Sequence, residues 1–315
     1  MKIICRKDIE QILSTTDMLE KIEEGFVLHS QGFSRLPPVA ELAMDSAEVH
    51  IKYGYIEGGS YYIVKIASGF YNNPAVGLPS SNGLMLLFSL QTGEAVCLLQ
   101  DEGILTDYRT ALAGAVAAKY LAPKNIDAIG VVGAGTQAKL NAVAISKVTG
   151  CKNILVWGRN TERAKQCAKE IEAMGLSASS CSNIEDLTQA AQVIVTTTPS
   201  TSPLLTKDMV QKGSLIIAIG SDTEEKQELD TELTRAARLV VDSKQQCQLR
   251  GEVSQLIKRG LASLDDLTEL GEVIRNGITP TSKESITLVD LTGIAVQDLK
   301  IAEAVYAEHS DAPLK

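Results

Sequence analysis

The sequence predicts an α/β chain of two parts: a doubly wound parallel sheet, and an α+β part whose sheet is mainly antiparallel. Three observations carry this. From residue 124 onward, short apolar runs alternate with helical patterns, and that alternation builds a parallel sheet with helices on both faces. Residues 39–100 instead read as short strands broken by turn residues, the pattern of an antiparallel sheet. A length of 315 residues exceeds what one hydrophobic core comfortably holds. The domains drawn from these patterns are 1–121, completed by 294–315, and 122–293.

Taken in order, residues 8–31 read as one amphipathic helix with Ile12, Met18, Leu19, Ile22, Phe26 and Val27 on its apolar side. In RLPPVAEL, Pro37 and Pro38 block helix and make the segment an extended linker. The runs VAELAMD, EVHIKYGYI, GGSYYIVKIASGF, GLMLLFSL and EAVCLLQDEG are expected strands. Breaks are expected at Gly58-Gly59, Asn72-Asn73-Pro74, Asn82-Gly83 and Thr92-Gly93. Residues 105–121, LTDYRTALAGAVAAKYL, form a helix with Thr106 or Asp107 as N-cap, and Pro123 closes it. Strands then follow at 128–132, 153–157, 192–197, 214–219, 238–241 and 286–291.

Composition excludes several classes. Apolar residues make up 44% and charged residues 22% of the chain, ordinary for a globular protein. A net charge of −9 argues against nucleic acid or an anionic membrane surface as partner. No apolar run approaches the ~20 residues that span a bilayer, and MKIICRKDIEQIL holds no signal-peptide core. The six cysteines are scattered without a C-x-x-C pair, and the three histidines make no metal-ligand spacing with them. Free thiols in a reducing cytoplasm, and no metal, are therefore expected.

The chemistry centres on AIGVVGAGTQAKL, residues 128–140. A β-branched run, the pattern Gly133-x-Gly135-x-x-Ala138 and a helical repeat follow one another, the context of a dinucleotide fingerprint. Gly133 permits the tight turn, Gly135 lets backbone N–H groups approach a pyrophosphate, and Ala138 keeps the helix close to the strand. The helix N-terminus favours the phosphates. A tight turn without a ligand is the competing reading. In a Rossmann sheet of this kind ligands gather at the carboxyl ends of the strands, here Gly133-Ala134-Gly135, Trp157-Gly158-Arg159, Thr196-Thr197-Thr198-Pro199, Gly220-Ser221-Asp222 and Asp290-Leu291-Thr292-Gly293. At the second of these, NAD sites usually carry an acid for the ribose hydroxyls. Here Gly158 stands in that place with Arg159 beside it, and an arginine pairs with a 2′-phosphate. NADP(H) is therefore favoured over NAD(H), with stacking of Arg159 on adenine as the alternative.

Three further residues are singled out. Lys65 shares one face of its strand with Ile63 and Ala67, and Lys52 shares a face with His50 on the strand before. A lysine in an apolar strand needs an anion or water, so an anion site and a solvated outer face both stay open. Arg109 falls in the first turn of the helix expected over 105–121, where the dipole opposes a cation. A bound anion and a salt bridge to Asp107 or Asp101 both stay open. Asp222, at a strand end, is either a proton donor or acceptor or an N-cap for the acidic segment after it.

Together, YYIVKIASGF, GLPSSNGLMLLF, LTDYRTALAGAVAAKYLAPK, GVVGAGTQA, GSDTEEKQELD and VDLTGIAVQD resemble the ornithine cyclodeaminase/mu-crystallin family over nearly the whole chain. The resemblance implies a substrate and dimerisation domain, a central nicotinamide-binding domain and a homodimer. It makes Lys65 a contact of the substrate carboxylate and Arg109 a contact of both carboxylate and cofactor. Asp222 becomes the acid that exchanges a proton with the substrate nitrogen. Thr136 and Gln137 match pyrophosphate contacts; Ser80, Thr198, Ser221 and Lys226 fall with the cofactor, and Thr292 with the substrate. Departures are as telling. The arginine that clamps the carboxylate in cyclodeaminases is replaced by Pro38, with Arg35 out of register, and Lys52 is the candidate substitute. Glu224-Glu225 and Leu291-Thr292 also break the cyclodeaminase pattern. The layout is closer to the branch with the cyclodeaminase-like enzyme of ectoine breakdown and several imino-acid reductases. The expected activity is hydride transfer between NAD(P)(H) and the α-carbon of a small amino or imino acid. A cyclodeaminase with recycled cofactor, or a non-catalytic nucleotide-binding protein, are the alternatives.

Overall fold

A computed structural model describes residues 1–277 and 281–311. The chain divides into two compact units, one made of Met1–Arg109 with the chain from Ile294 on, the other of Thr110–Gly293. The first boundary falls inside a long helix rather than at Pro123. Residues 312–315, assigned above to the first domain, lie outside the described residues. Among the described residues no helix is long and apolar enough to cross a membrane.

The first unit opens with β1 (Lys2–Cys5), α1 (Arg6–Thr15) and α2 (Leu19–Ser30). The single helix expected over 8–31 is thus two. Thr16 adopts an extended conformation after α1, and the Asp17 carboxylate accepts from Leu19 N at 3.0 Å, restarting the helix. Then come β2 (Ser34–Arg35), β3 (Ala40–Met44), β4 (Ala47–Ile56), β5 (Tyr61–Phe70), β6 (Ser81–Ser89), β7 (Ala95–Gln100) and α3 (Ile104–Leu121). The sheet runs β1-β7-β6-β5-β4-β2 with β3 also on β4. All pairs are antiparallel except β1 with β7. Asn82-Gly83, expected as a break, lies within β6. A Cβ at Gly83 would press on Ile66 O of β5 at 2.6 Å, so this glycine serves close strand approach.

The second unit holds β8 (Ile129–Val132), α4 (Thr136–Thr149), β9 (Asn153–Trp157), α5 (Thr161–Ala173), β10 (Ser177–Ser180), α6 (Ile184–Ala190), β11 (Val193–Thr196) and β12 (Leu215–Ala218). It continues with α7 (Thr231–Ala236), β13 (Arg238–Val241), α8 (Lys244–Cys247), α9 (Glu252–Lys258), β14 (Thr268–Glu269), α10 (Leu270–Asn276) and β15 (Thr287–Asp290). Its sheet, β10-β9-β8-β11-β12-β15-β13-β14, is parallel throughout. Every residue of β8, β11, β12 and β15 is buried, which is why they read as unbroken apolar runs. The last helix, α11 (Ala295–Asp311), belongs to the first unit and packs on α2, β4 and β5.

Candidate functional site

In the first unit, alternation along β5 puts Ile63 and Lys65 on the face that α11 covers, both essentially inaccessible. Lys65 pairs in register with Lys52 of β4, which is only 4% exposed. The solvated outer face considered for these lysines is therefore overturned. A buried ammonium needs an anion, and α11 supplies one in its first turn. Asp298 Oδ1 accepts from Lys65 Nζ at 3.0 Å and lies 3.0 Å from Arg109 Nε. Arg109 Nη1 also donates to Gln297 Oε1 at 3.2 Å. Because α3 starts at Ile104, Arg109 stands in its second turn, not its first. The N-cap assigned to Thr106 or Asp107 is likewise corrected: Asp101 Oδ2 accepts from Leu105 N at 2.9 Å.

The electrostatics follow from this packing. Burial, then the Arg109 charge, lowers Lys65 to about 8, against the pull of Asp298. Burial works to raise the Asp298 carboxyl, but Lys65, Arg109 and Lys52 outweigh it and hold it below its ordinary value. Burial raises Asp101, partly offset by backbone N–H donors. The structure thus brings Lys52, Lys65 and Arg109 together around Asp298. Arg35, by contrast, is exposed, with an ion pair to Glu57 at 2.5 Å, and Pro38 is exposed in the link between β2 and β3. Ser80 lies half-buried just before β6, its carbonyl accepting from Phe70 N at 2.7 Å.

In the second unit, Gly133 closes the turn after β8. Its N–H donates to Trp157 O at 2.8 Å and its φ is +130°, outside the reach of ordinary side chains. A Cβ there would collide with Thr197 Oγ1. Gly135 differs: its backbone is extended, and no heavy atom lies within 4 Å of where its Cβ would be. It is the N-cap of α4 and offers no side-chain cap, whereas Asn160, Asn183, Asp230 and Ser243 cap α5, α6, α7 and α8. An open glycine before a helix start without a side-chain cap fits a dinucleotide pyrophosphate. Thr136 is exposed at that start, and Asn141 Nδ2 donates to Gln137 Oε1 at 3.1 Å. Arg159 is exposed at the end of β9.

The neighbouring strand ends are pinned by acids that sequence reading did not single out. Glu228, fully buried, accepts from Thr196 Oγ1 at 2.7 Å, Thr198 N at 2.7 Å and Gly220 N at 3.0 Å. It therefore ties the ends of β11 and β12, and burial pushes it up to about 7 against those donors. Glu252 accepts from Glu228 N and Leu229 N, Asp290 from Val253 N at the start of α9, and Asp242 from Gly293 N. Thr292 is buried, its hydroxyl donating to Asp242 Oδ1 and accepting from Gln246 Nε2. Ser221 Oγ donates to Lys226 O, closing a loop in which Lys226 Nζ meets Asp222 Oδ1 at 2.7 Å. No helix follows Asp222 until α7, which Asp230 caps, so the N-cap reading of Asp222 is overturned. The signal for Glu228 was weak in one dimension, since it lies in an acidic stretch that reads as solvated surface.

The chain is similar to known proteins over nearly its whole length. The sequence model of the "Ornithine cyclodeaminase/mu-crystallin family" matches residues 2–312. An uncharacterized cyclodeaminase of Sinorhizobium fredii is 38% identical, covering 97% of this chain and 95% of its own. A solved archaeal alanine dehydrogenase dimer with bound NAD superposes with a TM-score of 0.88 at 32% identity, covering 99% of this chain and 97% of that one. The Δ1-pyrroline-2-carboxylate reductase of Thermococcus litoralis, solved with NADH and L-proline, gives 0.90 at 27% identity and 98% coverage of both chains.

Proposed function

We propose, on the premise that the chain belongs to the ornithine cyclodeaminase/mu-crystallin family, that it is an oxidoreductase moving a hydride between NAD(P)(H) and the α-carbon of a small amino or imino acid. The observation that carries this reading is the buried pair Lys65 and Arg109 on a single carboxylate oxygen of Asp298. Two cations sharing one acid retain positive charge for a second carboxylate, that of the substrate. Fixing that carboxylate fixes the α-carbon, a positioning effect worth several kcal/mol. A bound nicotinamide supplies the redox chemistry. Gly133, Gly135, Thr136 and Gln137 would hold its pyrophosphate, with Ser80, Thr198, Ser221 and Lys226 as further contacts. Asp222 would hold the proton exchanged with the substrate nitrogen, its carboxylate oriented by Lys226. Thr292 serves this reading through the β15 exit that its hydroxyl braces.

Gly158 and Arg159 support NADP(H) over NAD(H). The solved archaeal relative is a dimer, and exposed Leu42, Met44, Tyr53 and Ile66 on the first sheet support a homodimer here. The six free cysteines suit a cytoplasmic protein. The cyclodeaminase reading is kept by the relative of that name, and a non-catalytic nucleotide-binding role is the third.

One assay separates the three. The protein is incubated with NADPH or NADH against pyruvate or oxaloacetate plus ammonium and cyclic imines, and separately with ornithine and diaminobutyrate. Stoichiometric loss of NAD(P)H supports the oxidoreductase. Ammonia release without net cofactor change supports a cyclodeaminase, and nucleotide binding without turnover supports the third reading. Asp222→Asn is expected to lower kcat by at least about a hundredfold while nucleotide binding persists; intact turnover would overturn its role.

A further inference from the structure

Resting on the reading that Lys65 and Arg109 bind the substrate carboxylate, we propose that Asp298 is the positioning residue of that site. It holds the two cations side by side against their mutual repulsion, and so sets how tightly the substrate carboxylate is captured.

The geometry leads to this. One oxygen, Oδ1, lies 3.0 Å from Lys65 Nζ and 3.0 Å from Arg109 Nε, which keeps the two nitrogens within about 6 Å of one another. Two cations that close and that buried repel strongly, because the local dielectric is low. Asp298 relieves the repulsion from a fixed place: it is fully buried in the first turn of α11. The same turn supplies a second hold. Gln297 Oε1 accepts from Arg109 Nη1 and from Ile294 N, orienting the guanidinium from the backbone of the turn. The second Asp298 oxygen, Oδ2, is buried with no hydrogen-bond partner among the described residues. Both cations approach the other oxygen, Oδ1.

The charged groups that bear on Lys65 come from four places. Arg109 lies on α3, Asp298 on α11, and Asp101 in the link between β7 and α3; Lys52 lies opposite on β4. Burial and Arg109 already lower Lys65 to about 8. Without the Asp298 charge, burial and Arg109 lower Lys65 further, with Asp101 still opposing them. A substrate carboxylate then meets Arg109 with a less cationic Lys65 beside it.

The test compares wild type with Asp298→Asn, Asp298→Glu and Lys65→Met. The probes are L-alanine and L-proline, oxidised with saturating NADP+ or NAD+, and KM and kcat are followed from acid to alkaline pH. In wild type, capture weakens as pH rises through about 8. In Asp298→Asn, KM near pH 8 is expected to rise about tenfold or more, with kcat changed less than about threefold. The alkaline limb of kcat/KM moves down by at least about one unit, a tenfold change at fixed pH. Asp298→Glu restores much of the KM. A lower melting temperature and kcat with the limb unmoved would make Asp298 merely structural and overturn the proposal. If Lys65→Met raises KM while Asp298→Asn does not, the proposal fails and the carboxylate reading stands. If Lys65→Met leaves KM unchanged, or wild type oxidises neither probe, the reading fails first and the proposal with it.

Discussion

Arg159 shows how much rests on a single side chain at a strand end. It is exposed after β9, and its neighbour Asn160 is engaged in capping α5 through Arg163 N at 3.0 Å. The guanidinium is thus presented by a fixed helix start. Gly158 beside it has no positive φ, and a Cβ there would make ordinary contact with Ala134 Cβ at 3.4 Å. An acid at this strand end is therefore sterically tolerable, and its absence is a statement about charge. Arg159→Asp is expected to shift the NADPH/NADH preference in kcat/KM towards NADH by about tenfold or more, the worth of one charge-assisted contact. An unchanged ratio in steady-state assays would place the 2′-phosphate elsewhere. Other residues yield to sequence reading only in part. The face of Lys65 was legible from the alternation of β5. Its partner was not, because Asp298 lies 233 positions further on and is one of several acids in its helix. Glu228 escaped for the same reason, one acid among several in GSDTEEKQELD, with nothing local to mark it as buried.

At the scale of elements, legibility follows burial. The central strands β8, β11, β12 and β15 are buried at every position and stood out as apolar runs. Edge strands β10, sequence SASS, and β14, two residues long, bury too little apolar surface to leave a signal, so six expected strands are eight. The α1–α2 break was missed because Asp17 acts through its own side chain, against the helical periodicity around it. The glycine turn was read correctly as a turn, but its two glycines play separate parts. Gly133 is required by its backbone and by Thr197; Gly135 is required by neither and leaves the α4 start open. Gly133→Ala is expected to cost about 2 kcal/mol or more in urea unfolding and to weaken nucleotide binding. Gly135→Ala leaves stability nearly unchanged and weakens binding alone. A Gly133→Ala protein with wild-type stability would mean that the turn relaxes freely, and the division between the two glycines would be wrong.

Over the whole molecule, the two units handle buried charge in opposite ways. The first balances cations on Asp298; the second gathers acids, with Glu228, Glu252, Asp290 and Asp242 each holding backbone N–H groups near the strand ends. Burial raises Glu228 to about 7 and pushes Glu252 and Asp290 well above their ordinary values, with mutual repulsion adding to it. The linkage has a definite sign. A carboxyl whose folded pKa exceeds its unfolded value binds its proton more tightly when folded. Its stabilising contribution is complete below the unfolded value near 4.5 and is lost as pH rises through the folded one. The second unit is therefore expected to lose stability between about pH 5 and pH 8, although its ladder of N–H donors works against that loss. Thermal unfolding of wild type and Glu228→Gln across this range checks it. The amide in Glu228→Gln turns a donor towards Thr198 N or Gly220 N, so its melting temperature should be lower at every pH. Its decline with pH, however, should be shallower than that of wild type, because one titrating group has been removed. Parallel curves would show that Glu228 stays ionised throughout, its charge carried by Thr196, Thr198 and Gly220 against the cost of burial.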